Sequence, residues 1–280
     1  MILILGANGQ LGKEFKKLFK QLEIKSDFWT RKDLDLTRID HIKEKFNGKK
    51  YNLIINCMGY TDIEKAEKDW ELCYRINSYS AREIAKIARS MRATLISFSS
   101  NFIFDGKKHE PYYEEEEPNP LGEYGASKAL GERLILETWS EALIVRTGWI
   151  YGGNRNNFIE NIIKSSQKNE AIKIADDEIG TPILAEDLAY YTWELYKKGV
   201  HGIYNITNNG EVSRYNLARY IFEINNCSGR IIPCKRKDLK ITYEIPQYSV
   251  LSLEKTEKIL GERIHSWEIS LESYLKNKKN

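Results

Sequence analysis

The first dozen residues constrain this chain more than any other stretch. Met1 to Leu5 is an unbroken apolar run, followed at once by G-A-N-G-Q-L-G with glycines at 6, 9 and 12. A helical apolar pattern then runs from Leu11 through Leu22. A strand, a glycine-rich turn and a helix in that order form a cradle for a dinucleotide pyrophosphate. Glycines let the backbone approach the phosphates, and the helix N-terminus supplies free N–H groups and the positive end of its dipole. The spacing is G-x-x-G-x-x-G rather than G-x-G-x-x-G, and its position at a first strand-to-helix turn carries the reading.

The alternation continues. Ile24 to Trp29 reads as a second strand, followed by Thr30-Arg31-Lys32 and then Asp33. An acid at that strand tip would hold a ribose 2′-hydroxyl, whereas a cation accommodates a 2′-phosphate. Two cations and no acid at the tip favour NADP(H), with NAD(H) second. Tyr51 to Cys57 reads as a third strand ending in M-G-Y-T-D, small and polar groups suited to lie along the cofactor. Helices are expected at Ile63–Lys68 and Leu72–Ser90, with Asn77 inside the second as either a buried polar anchor or part of an exposed face. Regular alternation of this kind predicts an α/β fold, a Rossmann-type doubly wound parallel sheet with functional groups at the carboxyl ends of its strands.

Chemistry concentrates between Ser97 and Glu132. Ser99 and Ser100 end the apolar run Ala93 to Phe98, and Tyr124 and Lys128 stand four apart in a helical segment. At that spacing phenol and ammonium share one helix face. A nearby cation favours the ionised phenol, so the tyrosine is expected to trade a proton closer to neutral pH. A serine hydroxyl from a neighbouring strand end completes a proton-transfer site at a carbonyl oxygen.

Beyond the strand Ala142–Arg146 the pattern loosens into a smaller α/β part. Helices are expected near Asn157–Ser166, Glu186–Lys197, Ser213–Ile224 and Leu253–Leu260, and short strands at Ile172–Ile174, Gly202–Ile206 and Arg230–Ile232. Two interwoven parts result: 1–147, carrying cofactor and catalytic groups, and 148–280, mainly substrate-binding. Trp149, just past a strand end, can either stack on a sugar ring or pack in the core. A net charge of +3, from 43 basic and 40 acidic side chains, gives no field pointing to nucleic acid. Cys57, Cys73, Cys227 and Cys234 show no C-x-x-C spacing and, with no signal peptide in front, read as reduced thiols of a cytoplasmic protein. No metal motif and no run of membrane-spanning length stands out. The acidic cluster Glu114–Glu117 reads as a solvated loop, and Lys276–Lys279 as a frayed basic tail.

Several stretches together resemble the dTDP-4-dehydrorhamnose reductase family of extended short-chain dehydrogenase/reductases. They are G-A-N-G-Q-L-G at 6–12, L-D-L-T at 34–37, G-Y-T-D-I-E-K-A-E at 59–67, S-S-N-F-I-F-D-G at 99–106 and Y-G-A-S-K at 124–128. R-T-G-W-I-Y-G at 146–152, G-T-P at 180–182, D-L-A at 187–189 and Y-S-V-L at 248–251 with Trp267 extend the likeness nearly end to end. The resemblance implies NADPH- or NADH-dependent reduction of the 4-keto group of a nucleotide-diphosphate-linked 6-deoxyhexose. It implies Tyr124 as proton donor, Lys128 as the group that tunes the phenol and holds the nicotinamide ribose, and Ser100 as the group that orients the carbonyl. Cofactor contacts would come from Gly6, Asn8, Gly9, Gln10, Leu11 and Gly12, then Arg31, Asp35 and Leu36. Cys57, Met58, Gly59, Tyr60, Thr61 and Asn77 would add to these beside Tyr124 and Lys128. Substrate contacts would come from Ser100, Asn101, Phe102, Trp149, Gly180, Thr181 and Pro182. The partners implied are the nucleotide sugar and a second copy of the chain in a homodimer, with no nucleic acid, membrane or metal. Departures from the family pattern are Asn101 and Phe102 in place of an acid and a tyrosine, Gly148 in place of a serine, and Glu178 in place of an amide. Related S-S-N/D-F/Y-V-F-D-G variants occur in the regulatory β subunit of methionine adenosyltransferase, which makes an NADP-binding regulatory subunit the alternative. A sugar epimerase comes third, because the substrate half follows the reductase pattern.

Overall fold

A strand buried on both faces must be largely apolar, as the first strand of this chain, Ile2–Leu5, is. In the computed structural model, which describes residues 1–153, 157–166, 171–225 and 229–279, strands and helices alternate from the start. They are β1 (Ile2–Leu5), α1 (Gln10–Gln21), β2 (Ser26–Trp29), α2 (Ile39–Phe46), β3 (Leu53–Asn56) and α3 (Ile63–Lys68). There follow α4 (Trp70–Tyr74), a π-helical turn at Arg75–Tyr79, α5 (Ser80–Met91), β4 (Thr94–Phe98), α6 (Glu123–Thr138) and β5 (Leu143–Arg146). The remaining elements are β6 (Ile150–Tyr151), α7 (Phe158–Ser166), β7 (Ala171–Ala175), β8 (Ile179–Gly180), β9 (Ile183–Leu184) and α8 (Ala185–Lys197). Last come β10 (Gly202–Asn205), β11 (Val212–Ser213), α9 (Arg214–Ile224), β12 (Arg230–Cys234), α10 (Glu254–Leu260) and α11 (Trp267–Lys279).

The main sheet has six parallel strands in the order β10-β5-β4-β3-β1-β2, with Ile2 in register with both Ser26 and Leu53. The order reverses between β1 and β3, the point at which open α/β sheets bind ligands. Leu3, Leu5, Ile54, Leu95 and Ile144 pack with Ile42, Phe46, Ile84 and Ile135 from α2, α5 and α6. The alternate set, Ile4, Leu53, Ile55, Ile96 and Val145, packs with Phe15 and Phe19 of α1 and Leu188 and Trp193 of α8. Each such side chain contributes about 1.5–3 kcal/mol of burial. The turn between β1 and α1 needs its glycines. Gly6 sits at φ +78°, and a Cβ on Gly12 would lie 2.2 Å from the Gly6 carbonyl oxygen.

Although it lies beyond residue 147, β10 forms an edge of the main sheet. The rest of the second part builds a core of Tyr151, Ile159, Ile174, Leu217, Ile221, Trp267 and Leu271, carried on two-stranded ladders and α7, α9 and α11. Two expectations are corrected here. Lys276–Lys279 belongs to α11 rather than a frayed tail, and the Lys278 ammonium bonds Glu160 of α7. Glu114 is not in a solvated loop. It is buried, its carboxylate accepts the Asn205 N–H at 3.0 Å, and its carbonyl accepts from Arg146 at 3.0 Å. Arg146 is itself buried and paired with Glu132 at 2.8 Å. Cys57, Cys73 and Cys234 are free, and Cys227 lies outside the described residues.

Candidate active site

The carboxyl ends of the central strands open onto a cavity of about 400 Å³. Gly9, Gln10, Leu11, Cys57, Met58, Gly59 and Thr61 line one side of it, and Ser100, Asn101, Phe102, Tyr124, Lys128 and Trp149 the other. A second cavity of about 300 Å³ shares Met58, Gly59 and Thr61 with the first and runs on past Tyr60, Leu36, Asp35 and Arg31. Most of the residues singled out from sequence therefore meet along one trench over the strand-order reversal. Gly6 and Gly12 shape the turn without lining the trench, and Asn8 is exposed. Arg31 and Lys32 are both exposed, and of the two only Arg31 lines the far cavity.

Backbone geometry fixes the reacting groups. Ser100 caps the short 3₁₀ turn after β4, its Oγ accepting the Phe102 N–H at 3.1 Å. That hydroxyl also donates to Asn101 Oδ1 at 3.5 Å and lines the same cavity as the Tyr124 phenol. Burial pushes the Tyr124 phenol above its ordinary value, opposed by the Ser100 hydroxyl. The expected lowering by Lys128 is absent because burial holds the Lys128 ammonium itself down, to about 8. Its Nζ donates to the Phe98 carbonyl at 3.1 Å. Asn77 proves to be a buried anchor. The π turn aims its amide between two elements: Oδ1 accepts the Tyr60 N–H at 2.9 Å, while Nδ2 donates to the Tyr60 carbonyl at 3.1 Å and to Ser127 Oγ at 3.0 Å. The loop past β3 is thereby pinned to the helix that carries Tyr124 and Lys128.

On the substrate side the structure rearranges expectations. Asn101 is buried, and its amide donates to the Ser249 carbonyl at 3.1 Å and Oγ at 2.9 Å. Phe102 meets the Tyr124 ring edge to face at 6.2 Å. Trp149 lines the cavity in a left-handed backbone conformation, φ +49°. Gly180, Thr181 and Pro182 do not line this cavity and are buried. Gly180 backs the Trp149 ring, and Thr181 donates to the Gly210 carbonyl at 2.6 Å. Among the lining residues that sequence reasoning missed, which include Asn56, Ile63, Thr147 and Ile150, Arg214 alone is charged. Its only sequence signal was an N-cap serine, Ser213, at a helix start, which says nothing about where the cation reaches.

Four buried polar atoms beside this cavity have no protein partner: Gln10 Nε2, Ser99 Oγ, Thr147 Oγ1 and Trp149 Nε1. Buried polar groups are rarely left unpaired, so the site is built for polar ligands. The N-terminus of α1 opens on the same space and carries no acid in its first turn. These features fit a dinucleotide. Among the described residues, no cluster of His, Cys, Asp and Glu is arranged to hold a metal ion.

The family model described as the RmlD substrate binding domain matches residues 1–280. The spore coat polysaccharide biosynthesis protein SpsK of Bacillus subtilis (strain 168) is 30% identical over 279 residues, covering 100% of this chain and 98% of that protein. The crystal structure of a dTDP-4-dehydrorhamnose reductase from Clostridium acetobutylicum superposes with a TM-score of 0.95 at 32% identity, covering 100% of this chain and 99% of that one. The dTDP-4-dehydrorhamnose reductase from Bacillus anthracis, solved in complex with NADP, superposes with a TM-score of 0.94 at 31% identity, covering 99% and 98%.

Proposed function

We propose, proceeding from the fact that this chain belongs to the RmlD substrate binding domain family, that it is an NADPH-dependent nucleotide-sugar 4-ketoreductase of deoxysugar biosynthesis. Its substrate is a dTDP-linked 4-keto-6-deoxyhexose, the substrate class of the dTDP-4-dehydrorhamnose reductases to which it is similar. The observation that carries the reading is the meeting of Ser100, Tyr124 and Lys128 on one cavity with the glycine turn and its unpaired polar atoms.

Gly9, Gln10, Leu11 and the Met58–Thr61 segment would hold NADPH, which when bound would supply the hydride for C4. Tyr124 gives its proton to the carbonyl oxygen as negative charge develops there. A phenol whose pKa is raised by burial keeps its proton until that moment, which suits a donor. The Ser100 hydroxyl bonds the same oxygen and fixes its distance from the phenol. Lys128, close to neutrality in pKa, holds the ribose and stabilises the phenolate left after proton transfer. Free thiols at Cys57, Cys73 and Cys234 accord with a cytoplasmic location. Light scattering on the purified chain tests a homodimer.

The direct assay offers NADPH with a panel of nucleotide-linked 4-keto-6-deoxyhexoses and follows loss of reduced cofactor. Consumption with the dTDP-linked member is expected. Tight NADPH binding without consumption on any member would favour a regulatory subunit instead.

A further inference from the structure

We infer that Arg214 is the anion-binding residue of the substrate compartment and that its ligand is the diphosphate of the nucleotide sugar, an assignment that rests on the ketoreductase reading. The 400 Å³ cavity is lined by two cationic side chains, Lys128 and Arg214, and by no carboxylate. Lys128 is committed to the reacting end. Arg214 lines the cavity stacked on Trp149, the residue that follows the strand-end segment Thr147–Gly148.

The side chain is already held in one place. As the first residue of α9, Arg214 donates its backbone N–H to the Glu178 carbonyl at 3.0 Å and its Nε to Glu178 Oε1 at 2.8 Å. Its guanidinium lies 3.5 Å over the Trp149 ring and 4.7 Å over the Phe158 ring. Ordering of this kind leaves little rotamer freedom to lose on binding. Among the described residues nothing accepts a hydrogen bond from the two Nη groups, and a guanidinium fork matches phosphate oxygens bidentately.

Glu178 does not neutralise the site, because its second oxygen receives Arg236 Nη1 at 3.2 Å. Two guanidinium groups on one buried carboxylate leave a net positive charge facing the cavity. An amide at 178 would carry no charge to hold the first arginine, so Glu178 and Arg214 work as a unit.

The test titrates thymidine diphosphate, with thymidine as the phosphate-free control, into the NADP⁺-loaded protein by calorimetry. Arg214→Met should weaken thymidine diphosphate binding tenfold or more, about 1.4 kcal/mol, with thymidine and NADPH affinities changed less than twofold. Arg214→Lys should fall between the two, since it keeps the charge and loses the fork. In turnover, KM for the nucleotide sugar should rise by a larger factor than kcat falls. Unchanged thymidine diphosphate affinity in Arg214→Met overturns the inference. So does a loss confined to NADPH, which would assign the arginine to the cofactor's phosphates. If Arg214→Met melts early, the lysine variant decides: binding as weak as in the methionine variant would mark a purely structural role. If the unmutated protein consumes NADPH with no nucleotide sugar, the ketoreductase reading fails while the titration still decides Arg214.

Discussion

Adding one methyl group at Gly148 should damage the site more than its size suggests. The backbone there is within reach of any residue, so the cost is purely steric. A Cβ at 148 would stand 2.4 Å from Asn101 Cγ and Oδ1 and 2.5 Å from Nδ2. The Asn101 amide cannot simply swing aside, because it is buried and donates two hydrogen bonds to Ser249. Forcing extra volume into such packing costs about 1–3 kcal/mol, and each hydrogen bond lost adds about 0.5–1.5 kcal/mol. Gly148→Ala should therefore destabilise by about 2–4 kcal/mol, a fall in Tm of about 4–16 °C at roughly 2–4 °C per kcal/mol. Asn101→Ala alone should destabilise as well, through the same lost bonds. The double variant should cost less than the sum, by at least about 1 kcal/mol, since the clash has gone. Calorimetric melts of the four proteins measure this. Additivity within about 0.5 kcal/mol would show that the two departures from the family pattern are unrelated.

Two further outcomes follow from charge. Arg31 lines the far cavity, where the proposed cofactor would lay its adenosine, so Arg31→Ala should cost NADPH about 1.5–3 kcal/mol of binding and NADH little, measured by calorimetry; equal losses for both would remove Arg31 as the 2′-phosphate contact. Burial holds the Lys128 ammonium at about 8 against an ordinary 10.5, so between those values the unfolded chain binds this proton and the native state does not. More protons on the unfolded state means stability that rises with pH through that window, an increment that Lys128→Met should abolish in urea melts at about pH 7.5 and pH 10.

How far the sequence discloses this molecule depends on what fixes each element. Strands β1, β3, β4 and β5 lie inside the sheet and are mostly apolar because both faces are covered, so their runs can be read directly, whereas the edge strand β2 carries Ser26 and Asp27. The ladders of β6, β8, β9 and β11 are two residues long and exist only through distant partners, so no local pattern marks them. Helices α2 and α11 escaped notice. In α11 the charged C-terminal turn hides the buried Trp267, Leu271 and Leu275. Asn77 illustrates an ambiguity that only packing resolves, since the same residue suits a solvated face or a clamp. Ser100, Tyr124 and Lys128 were legible through spacing and strand-end position. Arg214 was not, because the tether to Glu178 and the stacking on Trp149 join residues far apart in the chain.

Substituting the one hydroxyl proposed to move the proton tests the central claim most directly. Tyr124→Phe keeps the ring that packs against Phe102 and removes only the donor. Turnover of NADPH with dTDP-linked 4-keto-6-deoxyhexose should fall about a hundred- to ten-thousand-fold, the usual contribution of a general acid, while NADPH affinity and melting temperature stay near those of the unmutated protein. Turnover at the unmutated rate would contradict the account, because the carbonyl oxygen would then be taking its proton from somewhere else.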